Sequence, residues 1–210
     1  MGREIVHLAV YDTMADWEAG HAVAHIRNGA WQCEPGRFDV ATVGATTDPI
    51  TTMGGTRVVP DTALDRLDPG ESAMLILPGA AAWDADPDRL APFARKAGEF
   101  LAAGVPVAAI CGATAGLARE GLLDDRAHTS GAVGYLNAQK GYGGAGRYLE
   151  QPAVTDGDLV TAGPTAPVEF AREIFARLGL YTPEVLDAWY RLFSAHDPSA
   201  YAVLEGAAQP

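Results

Sequence analysis

The stretch Val105-Pro-Val-Ala-Ala-Ile-Cys-Gly-Ala-Thr-Ala-Gly-Leu-Ala-Arg-Glu-Gly-Leu-Leu123 decides how this chain folds. Residues 105–110 are a short run of small apolar side chains, which suits a strand covered on both faces. Cys111 ends the run. Residues 112–120 then change to helical spacing, with Leu117 and Ala118 on one side and Arg119 and Glu120 on the other. A cysteine at a tight strand-to-helix turn meets free backbone N–H groups and the positive end of a helix dipole. Such surroundings lower a thiol pKa and favour the reactive thiolate. Gly112, without a Cβ, lets the turn be sharp. The plain alternative is a buried structural thiol, and this stretch alone leaves both readings open.

On either side, short strands and helices alternate. Residues 4–10 read as a strand and residues 14–28 as a helix, with Met14, Trp17, Val23 and Ile26 inward and Asp12 or Thr13 as cap. Residues 38–43 are a second strand. Residues 50–53 and 56–59 flank Gly54-Gly55 as a hairpin, and residues 60–70 form a turn-rich connection. Residues 73–77 form a buried strand ending in Pro78-Gly79, and residues 89–103 a helix. Beyond the central stretch come a strand or loop at 127–130, a short helix at 132–139 and a glycine-rich loop at 141–146, expected near a site. A second hairpin turns at Asp156-Gly157, and an amphipathic helix covers 167–179. The last helix, residues 183–195, shows an aromatic face of Trp189, Tyr190 and Phe193, and residues 206–210 read as a loose tail. The alternation predicts βαβ units, an α/β fold with a mainly parallel sheet, and one domain over residues 1–210.

Composition narrows the functional classes. Hydrophobic residues make up 48% of the chain, mean hydropathy is near zero, and no apolar run reaches membrane-spanning length. The first residues lack a signal-peptide core. Two cysteines make no disulfide framework, so a reducing cytoplasm is expected. A net charge of −12 argues against nucleic-acid partners and anionic membranes.

Leu75-Ile-Leu-Pro-Gly79, Val107-Ala-Ala-Ile-Cys111, the run Gly121 to Ser130, Leu159-Val-Thr-Ala-Gly-Pro164 and Glu169-Phe170 occur in the order and spacing of a known family. Together they resemble the DJ-1/PfpI superfamily, with its class I glutamine amidotransferase-like fold, over roughly residues 4–180. The resemblance implies a flavodoxin-like three-layer sandwich, a nucleophilic Cys111 at the strand-to-helix elbow, and a homodimer. It also implies an acid at the first helix that hydrogen-bonds the cysteine, and Glu18 stands at that place. Protease-like members carry His directly after the cysteine, where this chain has Gly112. The stretch 163–170 holds Glu169 but none of the histidine of the amidotransferases. The Cys-His arrangement for amide hydrolysis is therefore incomplete. His128 lies two residues before Ser130, where some members place a histidine, and could substitute if its loop turns inward.

The expected chemistry is attack by the Cys111 thiolate on a small electrophile (an amide, a reactive carbonyl or a nitrile-like group). Glu18 gives or takes the proton, and backbone N–H groups of Gly112 and of Gly79 or Ala80 hold the oxyanion. Thr129 and Ser130 are the expected substrate contacts, and neither metal nor organic cofactor is required. Glu18, His21 and His25 share helical spacing, but no further metal ligand can be assigned to them. His7 reads as a core or edge histidine and Cys33 as an inert thiol. Asp12, Asp16 and the acidic residues of the 84–88 segment read as caps and solvated surface. The alternative function is a redox or stress-response protein whose Cys111 is oxidised without substrate turnover.

Overall fold

The computed structural model describes residues 2–208. Its centre is the run of small side chains that precedes Cys111: Val107, Ala108, Ala109 and Ile110 have no exposed surface, because helices cover both faces of the sheet there. In chain order the first elements are β1 (Glu4–Ala9), α1 (Gly20–Arg27), β2 (Phe38–Gly44), β3 (Ile50–Thr51), β4 (Arg57–Val58) and β5 (Thr62–Ala63). Then follow β6 (Met74–Leu77), α2 (Ala82–Ala85), α3 (Pro87–Ala102), β7 (Val107–Ile110), α4 (Gly112–Arg119) and α5 (Val133–Asn137). The chain continues through β8 (Ala153–Asp156), β9 (Leu159–Ala162), α6 (Pro167–Leu178), α7 (Pro183–Ala195) and α8 (Tyr201–Ala207).

Seven strands form one sheet in the order β5-β2-β1-β6-β7-β9-β8, parallel except for β8 against β9. Val6 of β1 pairs with Val40 of β2 and Met74 of β6, so the apolar runs lie level across the sheet. On one face α1 packs with α6, which touches β7 and β9; on the other α3 packs with α4 against β7. This is the flavodoxin-like α/β sandwich. Pro167 opens α6 and Gly179, at φ 61°, closes it in the left-handed conformation that glycine adopts at least cost. The loops leaving β1, β6 and β7 at their C-terminal ends meet, which is where open parallel sheets bind ligands.

The first helix is shorter than its spacing predicts. It starts at Gly20, because residues 14–15 bond to other loops instead: Ala15 N–H donates to the Gly79 carbonyl and Met53 N–H to the Met14 carbonyl. Asp12 and Thr13 do not cap it. The Asp12 carboxylate accepts from Thr51 N–H at 2.9 Å, and Thr13 Oγ1 accepts from Ala82 N–H at 3.1 Å. The connection at 60–70 contributes a sheet strand, β5. Residues 201–207 are helical rather than loose, and they bury Leu204 completely; residues 209–210 of the predicted tail lie outside the described part.

The aromatic face of α7 closes on the body around His25. Trp189 and Phe193 meet that ring edge-on and Trp31 stacks on it. The Trp189 indole N–H donates to His25 Nε2 at 3.2 Å, so Nδ1 carries the imidazole proton toward Tyr181 Oη, also at 3.2 Å. Burial lowers the His25 pKa to about 4, assisted by the neighbouring His21. The folded state therefore prefers neutral His25. Its contribution is complete above the unfolded pKa of 6.5 and is lost as pH falls from there toward 4. Thermal scans should show a fall in Tm between those limits that is smaller in His25→Gln; an equal fall in both proteins would assign the acid sensitivity elsewhere.

Candidate active site

Cys111 sits between β7 and α4 with φ 58° and ψ −127°, a left-handed backbone on a residue with a side chain. Such a conformation costs on the order of 1–3 kcal/mol and persists only where neighbours over-determine it. Its N–H donates to the Ala162 carbonyl at 3.0 Å, and its carbonyl accepts from Thr114 N–H at 3.1 Å and Thr114 Oγ1 at 2.6 Å. The sharpness of the turn thus falls on the cysteine itself. Gly112 and Gly116 serve packing instead: a Cβ on Gly116 would lie 2.3 Å from the Trp83 ring, and one on Gly112 3.1 Å from Trp83 Cβ. Small residues let α4 lie flat on that indole.

Glu18 projects from the turn ahead of α1 and is 1% exposed. Its Oε2 accepts a hydrogen bond from Gly79 N–H at 2.5 Å, and its carboxyl lies beside the Cys111 thiol. A Cβ on Gly79 would fall 2.7 Å from Cys111 Cβ, 2.8 Å from Glu18 Oε2 and 3.0 Å from Sγ. Only glycine leaves the acid and the thiol that close. The Pro78 carbonyl is held by Tyr11 Oη and by the Trp83 indole N–H, at 3.1 Å from the latter, so the loop carrying Gly79 is fixed to the same indole as α4.

Burial raises the Glu18 pKa to about 6, against the lowering effect of the Gly79 and Cys111 hydrogen bonds. Burial also pushes the Cys111 thiol up to about 12, reinforced by the charge and hydrogen bond of Glu18, and the Gly112 N–H only partly offsets this. The elbow alone predicts a lowered thiol pKa. Here burial of the thiol, reinforced by the carboxylate beside it, outweighs the helix N-terminus. The resting pair at neutral pH is a Cys111 thiol and a Glu18 carboxylate, an arrangement in which the carboxylate is the end able to accept a proton.

The pair forms part of the floor of a cavity of about 350 Å³, also lined by Ala15, Trp17, Met53, Gly79, Ala80, Ala81, Asp84, Gly112, Gly131, Tyr135 and Pro164. Gly112 N–H belongs to the first turn of α4, directly after Cys111, and has no acceptor among the described residues. Ala80 N–H has no acceptor among the described residues. Gly79 N–H, one of the expected oxyanion donors, is taken by Glu18, so the available pair is Gly112 and Ala80.

His128 does not replace the absent imidazole. Its ring is fully buried, with Nδ1 2.7 Å from the Arg126 carbonyl and Nε2 2.7 Å from Tyr142 Oη, and neither nitrogen bonds the thiol. Burial lowers its pKa, so it packs as a neutral ring. Thr129 and Ser130 are buried too: Thr129 Oγ1 donates to the Gln151 carbonyl and Ser130 Oγ bonds Thr114 Oγ1, both at 2.7 Å. Neither lines the cavity, and they brace the loop from which Gly131 reaches it. The glycine-rich 141–146 loop and the residues from Tyr181 onward lie off the cavity as well. Among the described residues no group of three or more His, Cys, Asp or Glu is arranged to hold a metal, and His21 packs edge-on against Phe193. Asp84, read as solvated surface, is a cavity residue that spacing did not reveal, and Tyr135 lines the cavity beside it from the 129–147 stretch. They become neighbours only when α2 and α5 fold over α4.

An α/β sandwich with a strained cysteine at the end of a central strand and a buried acid against it defines a class of cysteine-centred proteins. The DJ-1/PfpI family model matches residues 4–177, and the chain belongs to that family. It is 40% identical over 198 residues to the "Uncharacterized protease YoaZ" of Bacillus subtilis (strain 168), covering 93% of each chain. The crystal structure of a thiJ/pfpI family protein from Bacillus anthracis superposes with a TM-score of 0.91 at 38% identity over 100% of both chains. The DJ-1 superfamily protein Atu0886 of Agrobacterium tumefaciens gives 0.82 at 35% identity, over 92% of this chain and 98% of that one.

Two substitutions test the geometry. Gly79→Ala should slow alkylation of Cys111 by about tenfold or more, since displacement of a site by an ångström costs that much. Glu18→Gln should bring the thiol pKa down from about 12, measured by thiolate absorbance, because it removes the negative neighbour. A thiol pKa unchanged or raised in Glu18→Gln would mean that the carboxyl was already protonated.

Proposed function

We propose that this protein is a cysteine-dependent enzyme acting on a small electrophilic substrate, with Cys111 as nucleophile and Glu18 as the proton-transfer group. The observation that carries this reading is a buried acid set beside the thiol, both lining a cavity of ligand size. A carboxylate with a pKa near 6 is suited to general-base work at neutral pH.

Sγ adds to the electrophilic carbon as the S–H proton passes to Glu18. A C–S bond forms, and the π pair of the carbonyl, or of a nitrile, moves to its heteroatom. Gly112 and Ala80 N–H groups hold an oxyanion formed there. Protonated Glu18 then delivers its proton to the leaving nitrogen of an amide or to the oxygen of a carbonyl adduct, and returns to its base form. Water, deprotonated by Glu18, releases an acyl group from sulfur. One carboxyl serves each step, so no imidazole is needed. The names of the curated relatives say protease, but a cavity of about 350 Å³ suits a compact small molecule better than a folded protein. We also propose a homodimer, with the exposed Trp17 and Met53 at the cavity mouth in or near the interface, working in the cytoplasm, where reducing conditions keep Cys33 and Cys111 free.

Turnover assayed across amides, 2-oxoaldehydes and nitriles tests the reading. Cys111→Ser should abolish it, and Glu18→Gln should lower kcat by about 10²–10⁴-fold. In the wild type, kcat/KM should climb as pH rises through about 6 and then level off, because protonated Glu18 cannot take the thiol proton. No turnover on any of these, with stoichiometric peroxide oxidation of Cys111, would replace the enzyme with a redox sensor.

A further inference from the structure

The cavity holds a second carboxylate besides Glu18. Asp84, on α2, lines its wall and is exposed toward solvent. Its Oδ1 accepts a hydrogen bond from Tyr135 Oη at 2.8 Å, which fixes the carboxylate across the opening and leaves Oδ2 without a protein partner. No ion pair neutralises it among the described residues. The residues lining the cavity include neither Lys, Arg nor His. Arg119, the cation that Tyr135 feels, donates to the Trp83 carbonyl at 2.9 Å and stays off the wall. The negative charge of Asp84 reaches the reacting sulfur, since it is one of the influences raising the thiol pKa. The remaining wall is apolar: Ala15, Trp17, Met53, Ala81 and Pro164.

We propose that Asp84, positioned by Tyr135, is a specificity residue that admits electrophiles whose non-reacting end is neutral or cationic and donates a hydrogen bond, and turns away carboxylates and phosphates. This selectivity rests on the reading of the site as an electrophile-processing centre and adds the substrate class. An arriving anion meets Glu18 and Asp84, with no cation among the lining residues. An amide or ammonium group finds Asp84 Oδ2 as acceptor, while its apolar body lies against Trp17 and Met53. Like-charge repulsion across a partly solvated opening corresponds to roughly threefold to tenfold in rate.

The test compares iodoacetamide with iodoacetate, which alkylate a thiol by the same step. The S–C bond forms, iodide leaves, and the thiol proton goes to Glu18. Deprotonation is common to both reagents, so their rate ratio reports charge selection alone. Exposed Cys33 is removed by Cys33→Ser, and N-acetylcysteine gives the rate ratio of an unhindered thiol in solution. In that background Cys111 should disfavour iodoacetate about threefold or more relative to N-acetylcysteine. High salt should shrink this discrimination, and Asp84→Asn should remove most of it. Tyr135→Phe, which frees the carboxylate without deleting it, should reduce it by less than Asp84→Asn with an unchanged Tm. A ratio equal to that of N-acetylcysteine, or one that Asp84→Asn leaves untouched, overturns the proposal. The ratio does not depend on turnover. If discrimination is found but no amide, aldehyde or nitrile is processed, the catalytic reading fails and the charge filter stands; turnover without discrimination is the reverse.

Discussion

The structure turns on a backbone conformation that a side-chain-bearing residue avoids. Cys111 is held left-handed by bonds at both ends, to the Ala162 carbonyl on one side and from Thr114 on the other. Thr114 is in turn tied to Ser130, and Gly116 lets α4 settle on Trp83. The same indole donates to the Pro78 carbonyl and so sets Gly79, whose N–H holds Glu18. Cys111, Glu18 and the N–H groups of Gly112 and Ala80 come from three separate strand ends, yet they are registered through one aromatic ring and two glycines. A site assembled this way is precise because its supports are short and buried rather than because any one bond is strong.

Burial does the chemical tuning. Removing water from a carboxyl and a thiol opposes charge on both; the carboxylate further opposes charge on the thiol, whereas the thiol favours charge on the carboxyl. The pair therefore keeps one proton over the physiological range, and the carboxylate is the end that lacks it. Relatives with histidine after the cysteine place a dedicated base there. In this chain Gly112 occupies that position, and the imidazole of His128 is committed to Arg126 and Tyr142, so under the proposed reading the proton work falls to the buried acid. The cavity walls extend the same economy: they exclude water with alanine, proline and two exposed apolar side chains.

Much of this is legible in the residues alone. The strands read themselves from small apolar runs buried on both faces, and the strand-to-helix switch locates Cys111 at the end of the central strand. Family resemblance points to Glu18, whose role in binding Gly79 N–H no periodicity shows, since Glu18 lies in a turn and not on the helix that its spacing with His21 and His25 suggests. What stays hidden depends on contacts far apart in sequence. Asp84 and Tyr135 lie 51 residues apart and meet only through folding. His128 and the Thr129–Ser130 hydroxyls look like site residues by their chemistry, and they are spent inside on carbonyls and neighbouring hydroxyls. The thiol pKa runs opposite to the expectation from the elbow because the helix dipole is visible in a sequence, whereas the burial of the thiol and the charge of the acid beside it are not.

The contorted main chain at position 111 also says something about how this molecule trades durability for reactivity. Glycine would occupy that torsion without penalty, and a fold selected only for heat resistance would carry it there. Keeping sulfur at the bend forgoes that gain in every copy of the protein, whether or not substrate is present. The cost is permanent and the benefit intermittent, which is the pattern of a residue retained for what it does rather than for what it holds together.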